Sequence, residues 1–239
     1  MIKIDNLTKR YGKTVAVDNL CLHIRKNECV ALLGLNGAGK STTIGVLCSL
    51  LKKDGGKITV GGYDLDENET KVTQIVTLSP QETAVAAHLT VKENLQLIAE
   101  LYGLDNAAER AEQAISAFSL TKKANAYAKT LSGGQKRRLS IAMAMITRPE
   151  VLVLDEPTLG LDVRARKELW ALIENFKSST TILLTTHYLE EAVALADRIA
   201  VMNTGKLVAF GTQEEILAQT GHNSFEDAFL TLAGGEEDA

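Results

Sequence analysis

Proline and cysteine are scarce in this 239-residue chain, with three of each, and aromatic side chains make up only 5% of it. So few prolines exclude a collagen-like or polyproline architecture, and 45% hydrophobic against 23% charged residues is the balance of a folded rather than a disordered chain. Cys21, Cys29 and Cys48 stand eight and nineteen positions apart, which fits neither a CxxC redox pair nor a zinc-ligand spacing. They read as reduced thiols of a cytosolic protein. Long apolar runs are missing as well, since no stretch approaches the roughly 18 uninterrupted apolar residues of a spanning helix. The opening Met1-Ile2-Lys3-Ile4-Asp5-Asn6 is charged where a signal peptide needs an apolar segment. The expectation is a cytoplasmic chain that does not cross a membrane by itself. Basic excess is the last absence: 26 Lys plus Arg against 30 Asp plus Glu leave a net charge of −4. No global field draws the chain to nucleic acid or to an anionic membrane surface, so a polyanion has to be held locally.

What is present points to an α/β fold. The length gives one large domain or a domain with an inserted subdomain. Short strand patterns at 2–7, 17–24 and 29–33 are punctuated by Gly12-Lys13 and, further on, Gly61-Gly62. The run at 29–33 is continuously apolar, as a strand buried on both faces should be, and similar runs recur at 75–78, 151–154 and 181–184. Their alternation with helical or loop segments predicts a substantially parallel sheet. Helical spacing over 91–102, 107–118 and 132–147 suggests a mostly helical insert at about 82–147, between core segments at about 1–81 and 148–232. An acidic tail follows at 233–239.

Three elements carry chemistry. Directly after the strand at 29–33 comes Gly34-Leu35-Asn36-Gly37-Ala38-Gly39-Lys40-Ser41-Thr42, followed by a helical pattern to about Leu50. This G-x4-G-K-[ST] pattern between a strand and a helix is a phosphate-binding loop. Its glycines let backbone N–H groups curl around an anion, the helix N-terminus adds a positive dipole end, Lys40 supplies charge for the terminal phosphates, and the Ser41 hydroxyl suits Mg²⁺. A second buried strand ends in Asp155-Glu156-Pro157-Thr158. A carboxylate at such a strand end holds Mg²⁺ in phosphoryl transfer, which suits Asp155, and Glu156 is placed to take a proton from the attacking water. Alone, two adjacent acids before a turn are more often solvated surface; the phosphate loop reverses that preference. The third element is Leu131-Ser132-Gly133-Gly134-Gln135, in which Ser132 reads as an N-cap and the glycines leave the first helical N–H groups open to a second anion. The following Lys136-Arg137-Arg138 reads as a charged helix face rather than a nucleic-acid site.

With these motifs in this order, and with Thr185-Thr186-His187 downstream, the chain resembles the ATP-binding subunit of an ABC transporter over about residues 2–232. The resemblance implies a P-loop NTPase fold: a RecA-like core with an N-terminal antiparallel β subdomain and an inserted α-helical subdomain. It implies ATP and Mg²⁺ as ligands. Residue by residue, Tyr11 looks like the aromatic that stacks on adenine, and 34–42 matches the Walker A loop. Gln81 in Ser79-Pro80-Gln81-Glu82 is similar to the Q-loop glutamine that contacts Mg²⁺ and water. Ser132, Gly133, Gly134 and Gln135 match the signature that binds the ATP of an opposite subunit. Asp155 and Glu156 match Walker B with Glu156 as general base, Leu161-Asp162 fits the D-loop, and His187 fits the switch histidine at the γ-phosphate. Leu35 and Leu159 depart from commoner family residues without removing any of these groups. The implied partners are a transmembrane permease and a second ATP-binding subunit in a likeness to a homodimer, with the chain peripheral on the inner face of the membrane and no nucleic acid partner.

Segments 80–95, 101–104 and 225–230 resemble the branch that serves ABC-2 type exporters, including drug and antibiotic efflux systems. The alternative is a soluble ABC-type ATPase acting on nucleic acid or the ribosome, which usually carries a long coiled coil or two cassettes. A GTPase or small-molecule kinase sharing only the phosphate loop would leave 131–135 unexplained and lacks an Asn-Lys-x-Asp base-reading motif.

Overall fold

The computed structural model describes residues 1–234. The chain begins with β1 (Ile2–Tyr11), β2 (Thr14–Ile24), β3 (Cys29–Leu33), α1 (Lys40–Leu47), β4 (Gly55–Val60) and β5 (Tyr63–Asp64). It continues through α2 (Glu69–Ile75), β6 (Val76–Ser79), α3 (Val91–Leu101), α4 (Ala107–Ala117) and α5 (Gly133–Met145). The remainder is β7 (Val151–Asp155), α6 (Val163–Glu174), β8 (Thr181–Thr186), α7 (Leu189–Leu195), β9 (Arg198–Asn203), β10 (Lys206–Gly211), α8 (Gln213–Thr220) and α9 (Phe225–Leu232). From position 235 on, the expected acidic tail lies outside the described residues.

Two sheets follow from this order. One is antiparallel, β2-β1-β4-β5; the other runs β10-β9-β3-β8-β7-β6, parallel from β9 to β6 with β10 added antiparallel at the edge. The period-2 geometry of a strand sends alternate residues to opposite faces, and both faces here are apolar. Leu152 and Leu154 of β7 and Ile182 and Leu184 of β8 pack with α3–α9 on one side. Val151, Val153 and Leu183 face the other way, against Ile2, Ile4, Leu22 and Ile58 of the antiparallel sheet. Burial on both faces is why these strands read as unbroken apolar runs.

Local chemistry sets the element ends. Thr90 and Glu93 form a reciprocal capping box at the start of α3, as Ser132 and Gln135 do at α5 and Thr212 and Glu215 at α8. The helix after the phosphate loop stops at Leu47, short of the expected Leu50. Ser49 takes a left-handed φ of 58°, its N–H bonds Val46 O at 3.1 Å, and Leu50 N–H bonds Gly45 O at 2.8 Å, which closes the helix in a Schellman motif. Ile75 ends α2 instead of opening the next strand, so β6 begins one residue later than its sequence pattern suggests.

Because β3, β6, β7 and β8 are parallel, their C-terminal ends share one edge of the sheet. The register pairs Leu33 with Thr186, Asp155 with Thr185 and Ser79 with Leu154. In open α/β sheets this edge is where ligands bind.

The same burial pattern separates the thiols. Cys21 is exposed, whereas burial pushes the thiols of Cys29 and Cys48 up to about 12. Titration of the folded chain with an aromatic disulfide reagent at neutral pH should modify Cys21 alone, and all three cysteines in denaturant. A second fast-reacting thiol in the folded chain would contradict this packing.

Candidate active site

Between β3 and α1 the backbone turns back on itself through Gly37 and Gly39, with φ of 84° and 99°. A Cβ on Gly39 would lie 2.4 Å from the carbonyl oxygen of Ala16, and one on Gly34 would lie 2.5 Å from that of Met202. Only glycine lets the loop press this closely on β2 and β9. Helical bonding in α1 starts with Thr43 N–H to Gly39 O at 2.9 Å, so the N–H groups of Lys40, Ser41 and Thr42 precede it at the positive end of the helix. Lys40 is 5% exposed, and its Nζ donates to Gly34 O at 2.7 Å and Leu35 O at 3.1 Å. Burial pulls its pKa below the ordinary lysine value, while Glu156 and Asp155 act in the opposite direction.

The acidic element is tied to the neighbouring strand. Asp155 Oδ1 accepts the Thr185 hydroxyl at 2.5 Å, and the N–H of Glu156 meets both Thr185 O and Thr185 Oγ1 at 3.1 Å. Glu156 itself has a φ of 44°, a left-handed conformation that costs a non-glycine residue about 1–3 kcal/mol and persists where surrounding bonds impose it. That turn carries its carboxylate to His187, whose Nδ1 lies 2.8 Å from Glu156 Oε2 without the alignment of a hydrogen bond.

These pieces surround one cavity of about 510 Å³, within the size range of ligand sites. Residues 36–42, Gln81, Glu156 and His187 line it together, joined by Leu159, noted in the sequence only as a departure from the commoner residue, and by Ala16 of β2, which the sequence motifs did not single out. Gly34 is buried beneath the loop, and Asp155 stands behind Glu156, bonded to Thr185. Thr185 stands in the sequence as part of Thr185-Thr186-His187 without a role of its own, and register gives it one.

Other candidates stand apart from the cavity. Tyr11 ends β1, 49% exposed, with Lys9 Nζ 5.5 Å above its ring. Asp162 caps α6, accepting Ala165 N–H at 2.8 Å. Ser132 and Gln135 exchange the two capping-box bonds at the start of α5, and the exposed Gly133 and half-buried Gly134 precede that helix's first main-chain bond, Lys136 N–H to Ser132 O. The reading of Lys136-Arg137-Arg138 as one solvated face is corrected here. Arg138 approaches Glu168 at 3.8 Å on the surface side, but Arg137 turns inward and is buried among main-chain carbonyls.

The geometry has close counterparts. The ABC transporter family profile matches residues 17–159, from β2 through the acidic strand end to Leu159. The chain belongs to the ABC transporter family. Among similar proteins, the linearmycin resistance ATP-binding protein LnrL of Bacillus subtilis is 37% identical, over 99% of this chain and 76% of that protein. The daunorubicin resistance ATP-binding protein DrrA3 of Streptomyces coeruleorubidus is 41% identical, over 98% of this chain and 74% of that one. A solved ATP-binding subunit of an ABC transporter superposes with a TM-score of 0.86 at 30% identity, covering 97% of this chain and 99% of the other. An ATP-binding cassette captured as a dimer with ADP and Pi after hydrolysis superposes at 0.79 with 25% identity, over 89% and 98% of the two chains.

The expected P-loop NTPase fold and ATPase activity are thereby borne out, and this ABC protein is the ATP-binding and ATP-hydrolysing subunit of a transporter. Among the residues that line the cavity, Glu156 is the one carboxylate. Glu156→Gln should lower ATP turnover by about 100-fold or more and leave nucleotide affinity within a few-fold, measured by phosphate release and equilibrium binding. Turnover within a few-fold of the parent would remove Glu156 from the role of base.

Proposed function

We propose that this ABC subunit powers export of a drug, antibiotic or lipid by closing head to tail with a second copy over two ATP molecules. The observation that carries the dimeric part is a division of labour. One cavity holds residues 36–42, Gln81, Glu156 and His187, while the helix start at 132–135 lies outside it, its Ser132 and Gln135 N–H groups in the capping box and those of Gly133 and Gly134 ahead of the first main-chain bond. A site of this kind is completed when the second copy brings its Ser132, Gly133, Gly134 and Gln135 to the γ-phosphate, with Leu161 and Asp162 alongside. ATP then favours the closed dimer, and hydrolysis releases it.

In the closed site Tyr11 stacks on adenine and the loop N–H groups with Lys40 hold the phosphates. Mg²⁺ suits the donors at hand, all hard oxygens: the Ser41 hydroxyl, the Gln81 side chain and the Asp155 carboxylate, one of whose oxygens Thr185 already fixes. Bound there, it would neutralise charge on the phosphates. Glu156 takes a proton from the attacking water while Lys40 and His187 counter the charge that develops on the transferred group. The relatives named for resistance to linearmycin and daunorubicin support export as the direction and drugs or antibiotics as the substrate class.

No helix among the described residues is long and apolar enough to cross a membrane. The partner proposed for the transport path is a transmembrane permease that holds this subunit on the inner membrane face. Tagged chain extracted from its native cells in mild detergent with ATP should retain one polytopic membrane protein in stoichiometric amount, identified by mass spectrometry. Recovery of ribosomal or DNA-associated proteins in its place would overturn the transporter assignment of the partner and favour a soluble remodelling ATPase.

A further inference from the structure

One buried cation has no part in the chemistry above. Arg137 lies one turn into α5 with 3% of its surface exposed. Its partners among the described residues are all main-chain carbonyls. Nε donates to Pro157 O at 2.8 Å, Nη2 to Asp155 O at 2.7 Å, and Nη1 to Pro80 O, with Gln81 O at 3.5 Å. The acceptors are not a random set. Asp155 and Pro157 are the two chain neighbours of Glu156, and Pro80 and Gln81 carry the chain out of β6 to the Gln81 side chain. One turn further along α5, the buried hydroxyls of Ser140 and Ser79 meet at 3.1 Å, so the helix is keyed to β6 at a second level.

A packing role alone would not call for this residue. Removing a guanidinium from water is costly even where the nearby Asp155 and Glu191 carboxylates offset part of its charge, and an apolar side chain would fill the space without that cost. What arginine adds is a rigid planar fork with five donors, able to hold three carbonyls in different directions, which the single ammonium of lysine does not reproduce. Burial pushes the Arg137 pKa down to about 10, so the group stays charged at neutral pH.

We propose that Arg137 is a positioning residue that links the start of α5 to Gln81 and Glu156 of the same chain. Through it, engagement of Ser132–Gln135 by the ATP of a second copy sets the geometry for hydrolysis in this copy. The trans half of this link rests on the dimeric reading above; the link within the chain does not. It gives the two sites of a dimer a short mechanical connection, from the helix start at one nucleotide to the glutamine and base at the other.

The test is steady-state ATPase of the full chain carrying Arg137→Lys, Arg137→Met, Ser132→Ala, and Arg137→Lys with Ser132→Ala. Arg137→Lys should keep its far-UV spectrum and its KM for ATP within about twofold of the parent while kcat falls roughly tenfold. Ser132→Ala added to it should lower kcat little further, because both changes interrupt one link. Should Arg137→Met fail to fold, Arg137→Lys carries the test by itself. A kcat for Arg137→Lys within about twofold of the parent, or a fall in kcat matched by an equal fall in affinity, would overturn the link within the chain. Losses that simply multiply in the double variant would overturn its connection to the second copy. Failure of the dimeric reading is seen separately, as a Ser132→Ala chain whose kcat equals that of the parent.

Discussion

Everything at the ATP site hangs on the parallel pairing of β8 with β3 on one side and β7 on the other. The ladder sets Thr186 beside Leu33 and Thr185 beside Asp155, so the phosphate loop, the acidic pair and His187 leave the sheet at the same level. A slip of one residue would exchange the two buried faces of β8, misplace every side chain packed on them and carry the Thr185 hydroxyl away from Asp155 and Glu156. The apolar layers on both faces of the sheet hold the register, and the chemistry depends on it.

Electrostatics then work on a fixed frame. Lys40 is kept at the mouth of its own loop by two carbonyls, partly desolvated, with the charges of Asp155 and Glu156 across the cavity. Glu156 is bent into a left-handed turn by the strand beside it, an arrangement that places a carboxylate in the cavity without waiting for ligand to order it. Arg137 extends the frame outward, since its carbonyl partners flank Glu156 and its helix begins at the motif proposed to face a second copy.

Much of this was legible in the residues. The apolar runs announced β3, β7 and β8 because burial on both faces leaves no alternation, and the Gly34-to-Thr42 pattern announced the loop because glycine is the only residue that fits at Gly34 and Gly39. What escaped depended on the third dimension. The end of α1 was missed because Ser49, not glycine, takes the left-handed position. Thr185, present in the sequence only as the residue two before His187, gained its role from strand register, and Ala16 became a site residue through a close backbone approach. Arg137 was hidden inside a run of three basic residues, where sequence gives no sign of which one turns inward.

The central claim is that this chain holds half of each ATP site and closes on a second copy to complete it. Sedimentation velocity of the Glu156→Gln chain measures this directly. With ATP and Mg²⁺ the account requires a species of twice the 25.8 kDa chain mass, reverting to the single chain when ATP is replaced by ADP. A chain that binds ATP and still sediments as a single copy at every concentration would contradict it.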